Sequence, residues 1–353
     1  MKDKEFGYAM KALRMVIRRE WHRMTSRRLY LGVCVVLPLL CLFFMATIFG
    51  NGQMENIPVG IVDLDNTATS RNISRRISAA PTFRVTEHFT DEADARRALQ
   101  QKDIYGYLVI PPRFEQKAVT GTGATLTYYY HYALLSVGSE LMAAFENTLA
   151  PVALSPIVMQ AEALGVSGEQ IQTFLLPVEA STHPLYNPDM DYSIYLSQPF
   201  FFVLFQILIL LTTVYSIGSE LKFGSAGEWL EMARGNILTA VAGKLLPYTL
   251  IFSSIGILAN YVLFGPLHIP FAGSLWLMNA VTVLFIIATQ ALAVFIYSVF
   301  PKIAYIISVV SMVGSLGATL SGVTFPVTAM YAPVHAASYL FPVRHFTAVS
   351  YTH

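Results

Sequence analysis

Charge is scarce in this chain. Of its 353 residues only 13% are Asp, Glu, Lys or Arg, against 54% hydrophobic, whereas a soluble domain carries roughly 25% charged residues. The shortage is concentrated. Five apolar stretches, Leu29 to Phe49, Pro199–Gly218, Leu245–Gly265, Leu275–Phe300 and Ile303–Gly322, contain none of the four charged types. Each is close to the length of about 20 residues that a helix needs to cross the hydrocarbon, so the composition describes a polytopic α-helical membrane protein. The net charge of +1 says nothing about nucleic acid, but no basic face with interleaved aromatics stands out, so no nucleic-acid partner is expected. Cysteine is nearly absent too. Cys34 and Cys41 both lie in the first stretch on one helical face, a separation that no disulfide within a helix can span. The long insert has no cysteine and must fold without disulfides. The first stretch ends in Gly50-Asn51-Gly52-Gln53 rather than a small-residue cleavage site, so it reads as an uncleaved anchor.

The charges that exist are placed asymmetrically. Residues 1–28 carry Lys2, Lys4, Lys11, Arg14, Arg18, Arg19, Arg23, Arg27 and Arg28 against Asp3, Glu5 and Glu20, an excess that holds this end in the cytoplasm. Phe6, Met10, Leu13, Ile17, Trp21 and Met24 recur every three or four positions with Arg14 and Arg18 between them. That spacing predicts an amphipathic helix on the inner membrane surface, its arginines near anionic lipid. The segments then alternate: 29–49 spans, 50–196 is extracytoplasmic, 197–218 spans, and 219–244, with Lys222, Arg234 and Lys244, is cytoplasmic. Segments 245–265, 275–300 and 303–322 span, and 323–353 is an interrupted extracytoplasmic segment. Inside the insert, Val59–Val62, Phe83–Val85, Tyr107–Ile110 and Leu126–Tyr130 read as strands. Ser70–Ile77 and Asp91–Gln101 read as helices, as does Leu134 to about Leu164, with a further one over Ser167–Leu175. A Pro-rich stretch from His183 to Pro188 leads into the next span. Strand–helix alternation of this kind predicts an inserted α/β domain.

Catalytic signals are thin. The string Val59-Gly60-Ile61-Val62-Asp63-Leu64-Asp65-Asn66-Thr67 resembles the strand on which haloacid-dehalogenase-type phosphatases present a nucleophilic and an acid–base carboxylate. That chemistry also requires a lysine and a further acidic pair for the metal, and no later strand ends in one. The expected role is a strand-to-helix turn with Asp65 or Asn66 capping the next helix. His88, His131 and His183 have no metal-ligand spacing. There is no Gly-x-x-x-x-Gly-Lys-Ser/Thr loop to hold ATP, and no cofactor is expected on this chain. The uncharged spans offer no site for a coupling ion; Asn260, Asn279 and Gln290 are expected to join helices by hydrogen bonds. If the chain moves a solute, its energy comes from another polypeptide.

Two further segments stand out. Ser219 to Leu230 is short and glycine-containing, with Trp229 and Leu230 as an apolar edge and Glu220 and Glu228 as an acidic one, suited to docking a soluble partner. The last segment, Ser321-Gly322-Val323-Thr324-Phe325-Pro326 through Tyr331-Ala332-Pro333 to Pro342-Val343-Arg344-His345-Phe346, is apolar yet broken by prolines. It predicts short helices dipping into the outer leaflet and packed against protein.

In this order the pieces resemble the permease subunits of type-2 ATP-binding-cassette (ABC) exporters, in the multidrug-efflux-like branch with a large extracytoplasmic domain after the first span. Glu220, Gly224, Ser225 and Glu228 stand for that family's Glu-x-x-x-Gly-Thr-x-Glu coupling pattern, with serine for threonine and one extra residue before Glu228. Gly322, Phe325 and Pro326, with Pro333 and Pro342 after them, stand for its re-entrant signature. The resemblance implies a bacterial inner-membrane exporter of an amphipathic or drug-like substrate, working with a second, identical or related permease. Separate cytoplasmic ABC ATPase subunits would bind ATP and Mg and push on the segment around Glu220. A periplasmic adaptor and an outer-membrane channel are further implied partners. Six spans are implied where five are present, so a sixth is expected beyond His353. A membrane sensor or conformational relay, whose external domain binds a ligand without transport, is the alternative class.

Overall fold

In the computed structural model, residues 2–48, 54–120, 122–163, 187 and 191–352 are described. The chain divides into two compact units, one formed by Met1–Gly52 with Met190–His353 and the other by Gln53–Asp189. The first unit begins with α1 (Lys2–Ser26). Its buried positions are Ala12, Val16, Glu20 and Met24, a four-residue spacing that lines one face. Met10 and Trp21 of the expected apolar stripe are exposed instead. The face against protein thus includes a small residue and a carboxylate, which a hydropathy pattern does not pick out. Helices α2 (Arg28–Leu31) and α3 (Leu37–Ile48) follow, joined through a π-helical turn over Gly32–Val36.

The unit Gln53–Asp189 holds β1 (Ile57–Asp63), α4 (Ala68–Ala79), β2 (Phe83–Phe89), α5 (Glu92–Gln101), β3 (Gly106–Ile110), α6 (Phe114–Thr120), β4 (Thr127–Tyr130) and α7 (Leu135–Ala163). The sheet order is β2-β1-β3-β4. Central β1 runs parallel to both β2 and β3, while β4 is antiparallel to β3 with Gly106 opposite Tyr130. A strand flanked on both sides and both faces should be apolar throughout, and Val59, Ile61 and Val62 are fully buried. The helix expected over Ser167–Leu175, His183 and nearly all of the Pro-rich stretch lie outside the described residues.

The turn after β1 explains the Asp-x-Asp string. One Asp63 oxygen accepts the backbone N–H groups of Asp65 and Asn66, each at 3.0 Å, and the other accepts the Ser70 hydroxyl at 2.7 Å. Asp65 accepts the backbone N–H of Phe114 at 2.9 Å and of Glu115 at 3.0 Å, capping α6 from the turn after the strand next to β3. Glu115 reciprocates at the start of α4, accepting from the Thr69 backbone N–H and hydroxyl. The cap of α4 itself is Thr67, in a reciprocal capping box with Ser70, rather than Asp65 or Asn66. Both aspartates are therefore committed to holding two helix starts, and neither is free to act as a nucleophile. Against desolvation, which raises it, hydrogen bonds from the Thr67 hydroxyl and the backbone of Glu115, Phe114 and Arg113 hold the Asp65 carboxyl below the usual range.

A depressed folded value means that the unfolded chain binds the proton more readily. The contribution of Asp65 is then complete above the unfolded value of about 3.9 and is lost as pH falls through the folded one. Asp65→Ala should destabilise this unit by about 1–3 kcal/mol, by stranding two helix-start donors. Pulse proteolysis of the full chain reads that loss. Asp65→Asn should also flatten the acid limb of the stability profile, and an unchanged limb would remove the capping assignment.

The remaining helices complete the first unit: α8 (Tyr192–Lys222), α9 (Ala226–Met232), α10 (Ile237–Phe264), α11 (Leu275–Val299), α12 (Ile303–Leu320), α13 (Ala332–Ser338) and α14 (Pro342–Thr352). Among the described residues five helical segments, Arg28–Thr47, Ile194–Lys222, Ile237–Phe264, Leu275–Val299 and Ile303–Leu320, are long and apolar enough to cross a membrane. Their polar side chains join helices as expected. Asn260 donates to Asn279 and to Thr282, both at 2.9 Å, and Thr249 donates to Gln290 at 2.7 Å. The two long helices α8 and α10 run past the uncharged stretches, and their extra turns carry Glu220 and Lys244.

Candidate functional site

Those extra turns meet α1. Gly243 of α10 lies directly beneath Val16, and a Cβ there would come within 2.9 Å of the Val16 side chain. The absent side chain lets the two helices approach closely. One turn along α1 from Val16 is Glu20, which brings its carboxylate to Lys244 at 2.6 Å and to the Tyr248 hydroxyl at 2.7 Å. Lys244 also donates to Glu220 at 2.6 Å. From the other side Arg19 grips Glu220 through both terminal nitrogens, at 2.8 and 3.0 Å, a bidentate geometry that lysine could not supply. Arg23 donates to the same carboxylate and, at 2.6 Å, to the Ser219 hydroxyl. Three cations thus surround two carboxylates, with Glu20, Glu220 and Lys244 at most 1% exposed.

The segment after α8 closes over this cluster. Gly224, at φ +70°, turns the chain, and the Ser225 hydroxyl donates back to Glu220. Helix α9 then lies against the cluster through Trp229, whose indole N–H donates to the Ala240 carbonyl at 3.1 Å. The Lys244 ammonium sits 5.3 Å from the Trp229 ring centre. Tyr30, at the start of the first apolar helix, packs on Tyr215 and Tyr248. Four stretches of chain (α1, α2, the end of α8 with α9, and the start of α10) meet at this cluster.

The four residues aligned with the coupling pattern therefore separate. Glu220 is fully buried and faces inward, so it forms no acidic edge with Glu228. Ser225 serves Glu220, Gly224 forms the turn, and Glu228 alone of the two glutamates is exposed. Trp229, expected on a docking edge, is buried; the exposed apolar residues are Leu221, Phe223 and Leu230. The reason is electrostatic. A carboxylate met by three cations can stay buried because none of its charge is left unpartnered, and the helix continues through it. Arg19, Glu20, Arg23 and Tyr248 carried no sequence motif; the available signal was Glu20, on the four-residue face of α1 and the one acidic residue of that helix beyond its first turn.

At the far end of the chain the broken segment also packs on the helices. Gly322, at φ +91°, and Pro326 lead into a single 3₁₀ turn over Val327–Ala329, while Pro333 and Pro342 lie in the first turns of α13 and α14. Phe325 is exposed, and Phe346 is buried against Phe202 and Phe285. The Gln206 side chain accepts the Val343 backbone N–H at 3.0 Å. Arg344 donates to the His335 carbonyl at 3.2 Å and to Ser338, with its guanidinium 3.7 Å over the Tyr339 ring.

Apolar helices of spanning length, tied by internal polar bonds and a caged ion cluster, define a multi-pass membrane protein. Residues 28–352 match the family described as ABC-2 family transporter protein, and the chain belongs to that family. It is the membrane-spanning permease component of an ABC transporter, a family membership that implies an ATPase partner. No curated protein and no solved structure matches the chain. The matched segment begins after Arg19, Glu20 and Arg23, so three of the five charges in the cluster precede it.

Proposed function

We propose that the chain is the permease subunit of an ATP-driven exporter in a bacterial inner membrane, with its N-terminus in the cytoplasm. It moves an amphipathic or drug-like substrate outward together with a second permease. The Gln53–Asp189 unit is extracytoplasmic, marks the efflux branch, and meets an adaptor that leads to an outer-membrane channel. The observation that carries the reading is the caged Glu220: it ties the hairpin around Gly224 to α1, α8 and α10 at once. A push on the exposed side of that hairpin by an ATPase subunit would be passed to all three helices as a rigid displacement. The contact residues would be Glu228 and Leu230, with Glu220 inside as the transmitter.

The test is co-purification with an ATPase encoded beside the permease. Glu228→Arg should weaken the complex by about fivefold to tenfold and reduce stimulation of ATP hydrolysis, while the permease unfolds as the unaltered chain does. Unchanged binding and hydrolysis would remove Glu228 from the contact.

A further inference from the structure

The outward side of the α1–hairpin junction has a use that the cage does not exhaust. A groove of about 380 Å³ lies there. One wall is the α1 face carrying His22, Arg23, Ser26 and Arg27, and the other is formed by Phe223 and Ser225 of the hairpin. Spacings of three and four put those α1 residues side by side. Arg23 is anchored by Glu220, but Arg27 meets no carboxylate among the described residues, and its guanidinium lies 5.4 Å from the Phe223 ring centre. A Lys222 ammonium approaches the same ring at 5.7 Å. The groove thus concentrates positive charge beyond what the buried carboxylates neutralise.

Its depth in the membrane follows from the sequence. Arg27 and Arg28 directly precede Leu29, the first residue of the charge-free run, so the groove lies at the boundary between polar and apolar surroundings. Leu29, Leu221 and Phe223 are each more than half exposed, giving the cationic groove apolar flanks. We propose that this groove binds the headgroup phosphate of an anionic phospholipid. Arg27 and Arg23 meet the phosphate, the Ser26 and Ser225 hydroxyls line its site, and the acyl chains lie along Leu29 and Phe223. A soluble phosphate would gain from the cations but not from those flanks. Because Arg23 also holds Glu220, an occupied groove braces the junction between α1 and the hairpin. The proposal depends neither on the direction of transport nor on the identity of the ATPase.

The test uses the full chain equilibrated with an equimolar mixture of phosphatidylglycerol and phosphatidylcholine, with retained lipid counted by native mass spectrometry. The unaltered chain should retain phosphatidylglycerol preferentially. His22→Gln with Arg27→Gln should lower that preference by about fivefold, the factor expected for one surface cation. Arg14→Gln with Arg18→Gln removes charge from exposed positions of α1 outside the groove; those arginines attract anionic headgroups diffusely rather than holding one lipid, so the preference in retained lipid should fall by clearly less than in the first variant. Equal losses in the two variants, or no loss in the first, would overturn the site. Displacement of phosphatidylglycerol by millimolar inorganic phosphate would overturn the lipid and leave a soluble phosphate as the ligand.

Discussion

Glu220→Ala should destabilise the helical unit by about 3–5 kcal/mol, the usual effect of removing one partner from a buried ion pair. The large figure comes from what is left behind. Lys244 is fully buried and would keep only Glu20, while Arg19 and Arg23 would lose the carboxylate that both grip. The effect should be far from additive. In Glu220→Ala/Arg19→Ala one stranded cation goes with the carboxylate, and a coupling energy of about 0.5–3 kcal/mol should appear in the double-mutant cycle. Unfolding of the detergent-solubilised chain measures all three variants. Exposure of α1 to protease gives a second readout, because α1 is held to α10 largely through Val16, Glu20 and their partners. A loss below about 1 kcal/mol would mean that the carboxylate is hydrated and that the cage is not what joins these helices. The contrast with Glu228 is the useful part: one glutamate should change stability, the other only the response to the ATPase.

That contrast also shows where the sequence was legible. Uncharged runs located the five helices of spanning length among the described residues, because a helix crossing hydrocarbon must be apolar over about 20 residues. Period-two and period-3.6 patterns located β1 to β4 and the helices α4, α5 and α7, since each has one or two buried faces. Charges were harder to read. Hydropathy treats a charged residue as the end of a span, but α8 continues to Lys222 and α10 begins at Ile237, because Glu220 and Lys244 neutralise one another. The buried face of α1 was missed for the same reason: its central residue is Glu20. Helix α6 was missed because Pro111-Pro112 ended the strand before it and because its cap, Asp65, is remote in sequence. In each case the deciding partner lies far along the chain, and a local pattern contains no trace of it.

Phe346→Ala should destabilise the helical unit by about 3 kcal/mol, at the lower end of the range for a buried aromatic. The ring is 1% exposed, with its centre 3.9 Å from that of Phe202 and 5.1 Å from that of Phe285. It therefore ties α14 to α8 and α11 at one point. Within a bilayer the reference environment is itself apolar, so little of the effect comes from removing surface from water. What is lost is close packing and two aromatic contacts, and what remains is a void that these helices can collapse only by moving α14. Phe325→Ala supplies the control. Phe325 belongs to the same proline-broken segment but is 49% exposed, so its removal should change stability by no more than about 0.5 kcal/mol. Equal effects from the two substitutions would mean that α14 is not anchored through its ring cluster. A large effect confined to Phe346 would mark α14 as part of the helical core, held by one face, with the turns before it free to differ in sequence.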